Sequence, residues 1–373
     1  MAVMLVSCSS WSRDGGRTGT EQAARVIDFV TITQLGCATA VTGAIMPQPI
    51  TADACAAMRD QFRDARLMIA NEFRGLDTHD QYYNAFARAL KRDPLERVAM
   101  LGTDQRDQFV PVLRDLIEEG GTAPSRILDV GCGDGQTFAL IADTVPAGST
   151  IDLIDPNEDY VRAYADRVAA MPNLTLGNAH ALPFIPDAED SFYSPALERG
   201  YDLILAIHAL YFFADLDACL ADLGARLAPG GTAIIVFADE SVSYTGLGYR
   251  AFLRSGGQED LAQAHADLCA QRIALLRGSA EAPPAIAARW QGDARVHPQP
   301  TRLYGHSLPD LIALGNIAGL SLFESAAKFE VIADLLEHAP EQADLRIETE
   351  GGPRQGMLSV TQPQIVCAIT KPG

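Results

Sequence analysis

The sequence predicts an α/β fold, a mainly parallel sheet with helices on both faces. Three observations carry this. From Arg126 onward, short apolar runs alternate with helical patterns. A glycine-rich turn follows the first of those runs. Hydrophobic residues make up 48% of 373 positions, enough to fill the core of one large domain with additions, or of two domains.

The elements follow in order. Residues 1–45 read as a loosely ordered tail or an over-extended start, with Met46 as the candidate natural start. The stretch Phe29–Ala52 is uncharged, but Thr31, Thr33, Gln34, Thr39 and Thr42 dilute it and Pro47 and Pro49 end it, so no membrane helix is expected. Residues 54–73 place Met58, Phe62, Leu67, Ile69 and Phe73 at helical spacing. Further helices are expected at Asp80–Leu90, Leu95–Leu101 and Asp107–Glu119, the last stopped by Gly120-Gly121. Together these make an N-terminal helical cap over 46–120.

A second domain is expected over 121–373. Strands are predicted at Ile127–Val130, Ile151–Ile154, Leu174–Leu176, Leu203–Ile207 and Thr232–Phe237, with helices between them. Residues 245–300 read as a largely helical, substrate-side insertion with a proline-rich exit at Pro298 and Pro300. A helix over Ser307–Leu320 and strands over Leu322–Val331 and Ile365–Ile369 complete the chain.

Composition narrows the function. Lys plus Arg number 29 against 48 Asp plus Glu, a formal charge of −19. Such a surface repels phosphate backbones, so nucleic acid is not an expected partner. The seven cysteines are widely spaced and contain no C-x-x-C, which argues against a disulfide framework or zinc ribbon and for a reducing cytoplasm. The histidines lack H-x-x-x-H or H-E-x-x-H spacing, so no metal is expected. No G-x-S-x-G occurs to mark a serine nucleophile.

The chemistry concentrates in Asp129-Val130-Gly131-Cys132-Gly133-Asp134-Gly135. Glycine at three alternate positions lets the backbone turn tightly and approach a ligand. A dinucleotide fingerprint from Gly131 would place Gln136 where a third Gly or Ala belongs, and no Tyr-x-x-x-Lys pair accompanies it, which counts against a nicotinamide oxidoreductase. Ile151–Asp155 is a strand ending in a carboxylate, suited to accept from two ribose hydroxyls, with Pro156 beginning the next turn.

The order D-x-G-x-G-x-G resembles the first motif of the class I S-adenosylmethionine-dependent methyltransferases. Gly177-Asn178-Ala179-His180-Ala181-Leu182-Pro183-Phe184 is similar to the family's adenine-binding segment, with Asn178 in place of the usual Asp. Tyr201–Phe212 and Leu227-Ala228-Pro229-Gly230-Gly231 match its later motifs. The resemblance implies a Rossmann-like seven-stranded sheet with its last strand antiparallel, and S-adenosylmethionine as cofactor. It assigns cofactor contacts to Asp129, Gly131, Cys132, Gly133, Gly135, Asp155, Pro156, Asn178, Ala179 and Ile207.

Outside the core the chain is distantly similar to histamine N-methyltransferase and related small-molecule enzymes. The similarity rests on His79–Phe86, Ile207–Phe212 and Ser243-Tyr244. It implies a small-molecule acceptor, foremost an amine nitrogen, with an oxygen or protein acceptor and a non-enzymatic cofactor-binding scaffold as alternatives. Tyr82, Phe86, His208, Tyr211, Phe212 and Tyr244 are the candidate substrate-binding residues. His208 and Glu96 are the candidates to take a proton or position the acceptor.

Overall fold

The computed structural model describes residues 48–75, 102–119, 123, 125–186, 200–213, 215–279, 282–315, 326–349 and 352–373. The expected helices at 80–90 and 95–101, with Tyr82, Phe86 and Glu96, lie outside these, as do residues 1–45.

Seven strands form the main sheet: β2 (Arg126–Val130), β3 (Ser149–Asp155), β4 (Leu174–Ala181), β5 (Tyr201–Ile207), β6 (Leu227–Ala238), β7 (Asp293–Gln299) and β11 (Gln364–Thr370). Their order is β4-β3-β2-β5-β6-β11-β7. The first five run parallel. The final strand, β11, is antiparallel to both neighbours. The order reverses between β2 and β5, and a crevice at such a point, outside the carboxyl ends, is where open α/β sheets bind ligands.

Apolar side chains on both faces of the sheet explain its three layers. On one face, Ile127, Ile151, Leu205, Val236 and Val366 meet Phe109 and Leu113 of helix α3 (Gln105–Glu119) and Tyr164 and Val168 of α5 (Glu158–Ala169). The short α4 (Gln136–Ala139) adds Phe138 there. On the other face, Leu128, Ile204, Ile235 and Cys367 meet Leu220 and Leu223 of α6 (Leu216–Arg226) and Ile286 and Trp290 of α9 (Ala285–Trp290). Truncating one such side chain, for example Leu128→Ala, removes about 2–5 kcal/mol.

A second core has a composite origin. α1 (Ala52–Ala57) and α2 (Arg59–Glu72) pack with α10 (Leu308–Gly315) and α11 (Ala326–His338). A four-stranded antiparallel sheet adjoins them, in the order β1 (Gln48–Pro49), β9 (Arg346–Ile347), β10 (Leu358–Thr361), β8 (Arg302–Gly305). Phe62 and Ile69 of α2 meet Leu311, Ile332 and Leu336 there.

The structure corrects several boundaries. The expected cap over 46–120 is divided: α1 and α2 join the second core, while α3 packs on the main sheet. The expected insertion 245–300 holds α7 (Tyr244–Ser255), α8 (Glu259–Leu276) and α9, then returns to the sheet as edge strand β7. Its alternating half-exposure and its proline suit an edge. The described part of the expected strand 322–331 is helix α11, because Phe329, Ile332, Ala333 and Leu336 recur at helical spacing. β4 runs on to Ala181, so Asn178 and Ala179 sit in an edge strand and not in a loop.

Candidate functional site at the carboxyl edge

The loop after β2 is built by three glycines with different tasks. All three have positive φ: 65° at Gly131, 55° at Gly133 and 73° at Gly135. A Cβ at Gly131 would lie 2.6 Å from that of Ala209, and one at Gly135 would collide with the Tyr164 ring. A Cβ at Gly133 would meet nothing within 4 Å. The first and third glycines admit protein neighbours, and the middle one faces open space that a side chain would fill.

Asp155 pins this loop. Its Oδ2 accepts from the Gly133 N–H at 2.9 Å and its Oδ1 from the Asn157 N–H at 2.9 Å. Each oxygen keeps acceptor capacity for a further donor. Asn157 in turn caps α5 by accepting from Asp159 and Tyr160 N–H groups. Pro156 between them is exposed. Asp152, on the same strand, is committed elsewhere: it accepts from the Tyr201 hydroxyl at 2.6 Å and from the Asn178 N–H at 2.7 Å.

Asp129 is buried and accepts from the Tyr164 hydroxyl at 2.9 Å. Burial, with the Asp155 charge adding to it, pushes its carboxyl up to about 7. Burial, with the Asp129 and Asp155 charges adding to it, raises the Cys132 thiol far above the usual range, which disfavours the thiolate. Gly131 and Cys132 both donate backbone N–H bonds to Ile154. Ile207 is half-buried and packs toward Phe109 and Val236. Asn178 is half-buried and Ala179 exposed on β4.

His208 follows β5 in a left-handed conformation, φ 57°, which is uncommon for a residue with a side chain. Its N–H donates to Val236 at 2.7 Å. Its ring stacks on Tyr211, 6.2 Å between centroids, and meets the Phe109 edge at 6.1 Å. Nδ1 lies 3.4 Å from the Tyr211 hydroxyl, while Nε2 is buried with no partner. Burial, with Arg106 nearby, lowers its pKa to about 4, so the imidazole is neutral at pH 7. The Tyr211 hydroxyl also receives the Ala238 N–H.

The remaining candidates divide. Phe212 is 72% exposed beside this wall. Tyr244 is fully buried in the second core, where its hydroxyl donates to the Leu311 carbonyl at 2.9 Å. The structure gives Tyr244 a packing role in place of the pocket role that the resemblance implied.

Three features were not singled out from the sequence. Arg106, on the first turn of α3, carries its charge close to Asp134 and His208, and no hydrogen bond or ion pair holds it among the described residues. Arg272 lies over the Tyr211 ring at 5.3 Å and pairs with Glu240. Glu240, His265 and Cys269 bring potential metal donors together, with His265 and Cys269 four apart on α8. Burial, with Arg250 and Arg272 nearby, lowers the His265 pKa to about 4, and the two guanidinium charges oppose a cation there.

The loop fits an S-adenosylmethionine molecule on these observations. The open face of Gly133 leaves room for it. The acidic Asp129 and Asp155 suit a sulfonium and an ammonium group, and the Arg106 charge suits a carboxylate.

Comparison with known proteins gives the family. The family model described as "Methyltransferase domain" matches residues 83–279. An uncharacterized methyltransferase of Mycobacterium bovis is 30% identical over 117 residues, 31% of this chain and 52% of that protein. The chain thus spans about half the length of this relative. A demethylmenaquinone methyltransferase of Thermus thermophilus is 28% identical over 169 residues, 44% of this chain and 70% of that protein. A malonyl-[acyl-carrier protein] O-methyltransferase of Geobacter sulfurreducens is 28% identical over 181 residues, 48% of this chain and 58% of that protein. Among the described residues no helix is long and apolar enough to cross a membrane.

Proposed function

Because this chain belongs to the methyltransferase-domain family, with S-adenosylmethionine as its cofactor, we propose that it transfers a methyl group to a small-molecule acceptor, foremost an amine nitrogen that enters uncharged. The observation that carries this reading is His208. A strained imidazole with an unpaired, buried Nε2 stands at the carboxyl edge of the sheet whose glycine loop leaves Gly133 open. Non-glycine strain of this kind costs about 1–3 kcal/mol and persists where the surrounding structure imposes it.

When bound, S-adenosylmethionine supplies an activated methyl on a sulfonium. The chain's own residues then bind, align and exclude water. The Gly131–Gly135 backbone and Asp155 would hold the ribose and methionine end. Asp129 would serve the ammonium and Arg106 the carboxylate. Asn178 and Ala179 would serve the adenine edge, with Ile207 beside it. His208 Nε2 accepts a hydrogen bond or the proton from the attacking group. Phe109 and Tyr211 fix its ring, and alignment of the reactants contributes most of the rate. In this reading Tyr82, Phe86 and Glu96 serve the acceptor from outside the described residues.

An oxygen acceptor is the second reading. It is favoured by the O-methyltransferase among the relatives. The test is incubation with methyl-labelled S-adenosylmethionine and separate pools of amines, phenols, carboxylic acids and peptides. Label in a small-molecule pool supports the reading and chooses nitrogen or oxygen. Label only in peptides, or none with cofactor binding confirmed, contradicts it.

A further inference from the structure

Gln364 opens β11 and is completely buried, yet neither its amide oxygen nor its amide nitrogen has a partner. A buried carboxamide left unpaired is destabilising, so one that persists needs an explanation. Its position supplies one. β11 is antiparallel to β6, so its first residue lies at the carboxyl edge, in register with Ala238.

The face is settled by alternation along the strand. Val366 and Ala368 pack toward Phe109 and Leu113, so Gln364, two residues from Val366, points to the same side. Val236 and Ile207 share that side, and Ile207 pairs with Val236 in register. His208 follows Ile207 just past the end of β5, and its ring meets both Phe109 of α3 and Tyr211. Between β5 and β11 lies only β6, whose Ala238 pairs with Gln364. Two strand spacings, roughly 10 Å, separate the outer two strands.

On β7, Gln299 pairs with Gln364, and His297 pairs with Val366, one step further into the sheet on the same side. The His297 Nε2 is also buried without a partner. Three side chains at this end of the sheet therefore offer unpaired donors and acceptors, and none of the three is a carboxylate, Lys or Arg.

We propose that His208, Gln364 and His297 form the acceptor-recognition set at this end of the sheet, and that it selects an uncharged acceptor presenting adjacent hydrogen-bond donors and acceptors, the chemistry of a carboxamide, lactam or ureide. This rests on the methyltransferase reading of the same edge. An ammonium group would find no carboxylate in the set. A carboxylate would leave the acceptor atoms of the set unpaired.

The test uses the full chain saturated with S-adenosylhomocysteine and titrated with benzamide, benzylamine and benzoate, in wild type and in Gln364→Met. Binding is read by calorimetry, and the melting temperature of each protein is read without fragment. Benzamide is expected to bind wild type in preference to the other two, and about tenfold or more weaker in Gln364→Met, as when a site's amide no longer pairs. Gln364→Met is expected to melt at or above wild type, because no satisfied hydrogen bond is lost. A variant melting several degrees lower shows a structural carboxamide and overturns the proposal. So does benzamide binding that is equal in both proteins or absent from both. If S-adenosylhomocysteine itself fails to bind wild type, the methyltransferase reading fails as well. If it binds both proteins while benzamide does not discriminate, only this inference fails.

Discussion

The Tyr164 hydroxyl donates to the buried Asp129 carboxylate across 2.9 Å, while the same ring occupies the space where a Cβ of Gly135 would stand. One residue of α5 thus holds both ends of the glycine loop. Tyr164→Phe keeps the ring and removes the donor. It is expected to destabilise the protein by about 1–3 kcal/mol, the cost of leaving a buried acceptor unpaired. Urea unfolding at pH 8, where Asp129 is ionised, measures this.

The loop glycines should separate by role. Gly135→Ala drives a methyl into Tyr164 and is expected to lower the melting temperature. Gly133→Val meets no protein atom, so its folding cost is confined to the left-handed backbone, about 1–2 kcal/mol. It should nevertheless abolish S-adenosylhomocysteine binding, because its side chain occupies the open face. Calorimetry and thermal melting on both variants distinguish the two outcomes.

Asp155→Ala removes the acceptor for Gly133 and Asn157 together with the proposed ribose partner. Cofactor affinity should fall by about 1.5–3 kcal/mol, as for a charged hydrogen-bond partner. Affinity equal to wild type in a titration would show that the carboxylate serves the fold alone.

His208→Gly relaxes the left-handed backbone and deletes the imidazole. It should keep cofactor affinity and lose most turnover, while unfolding free energy falls less than in His208→Ala, which keeps a Cβ at that φ. Full activity in either variant would reduce His208 to a packing residue.

Stability should respond to pH in opposite directions at two groups. Asp129 has its carboxyl raised to about 7, so between pH 4 and 7 the folded state holds more protons than the unfolded chain, and stability from this group is lost as pH rises through that window. His208 is lowered to about 4, so stability from this group is full above pH 6.5 and is lost as pH falls toward 4. Subtracting the pH–stability curves of Asp129→Asn and His208→Ala from that of wild type should give slopes of opposite sign.

The glycine loop, Asp155 and the alternation of β2 through β6 were legible because short-range pattern encodes them. Glycines mark the turn, and strand and helix periods differ. β7 was not legible, because Asp293–Gln299 is a half-exposed edge with a proline and lacks the apolar run of an inner strand. Ala326–Val331 reads as a strand over a few apolar residues, and only the continued period through His338 makes it a helix. Arg106, Gln364 and His297 were invisible for another reason. Their meaning comes from pairing between strands far apart in sequence and from what α3 covers. Tyr244 shows the converse: an aromatic matched by resemblance can be claimed by a core whose members lie hundreds of positions apart.

The central claim is that the Gly131–Gly135 loop and Asp155 bind the methyl donor. Calorimetric titration of S-adenosylhomocysteine into the full chain and into Gly133→Val tests it most directly. The account predicts saturable one-to-one binding by the wild type and none by the variant. No binding by the wild type, or equal binding by both, would contradict it.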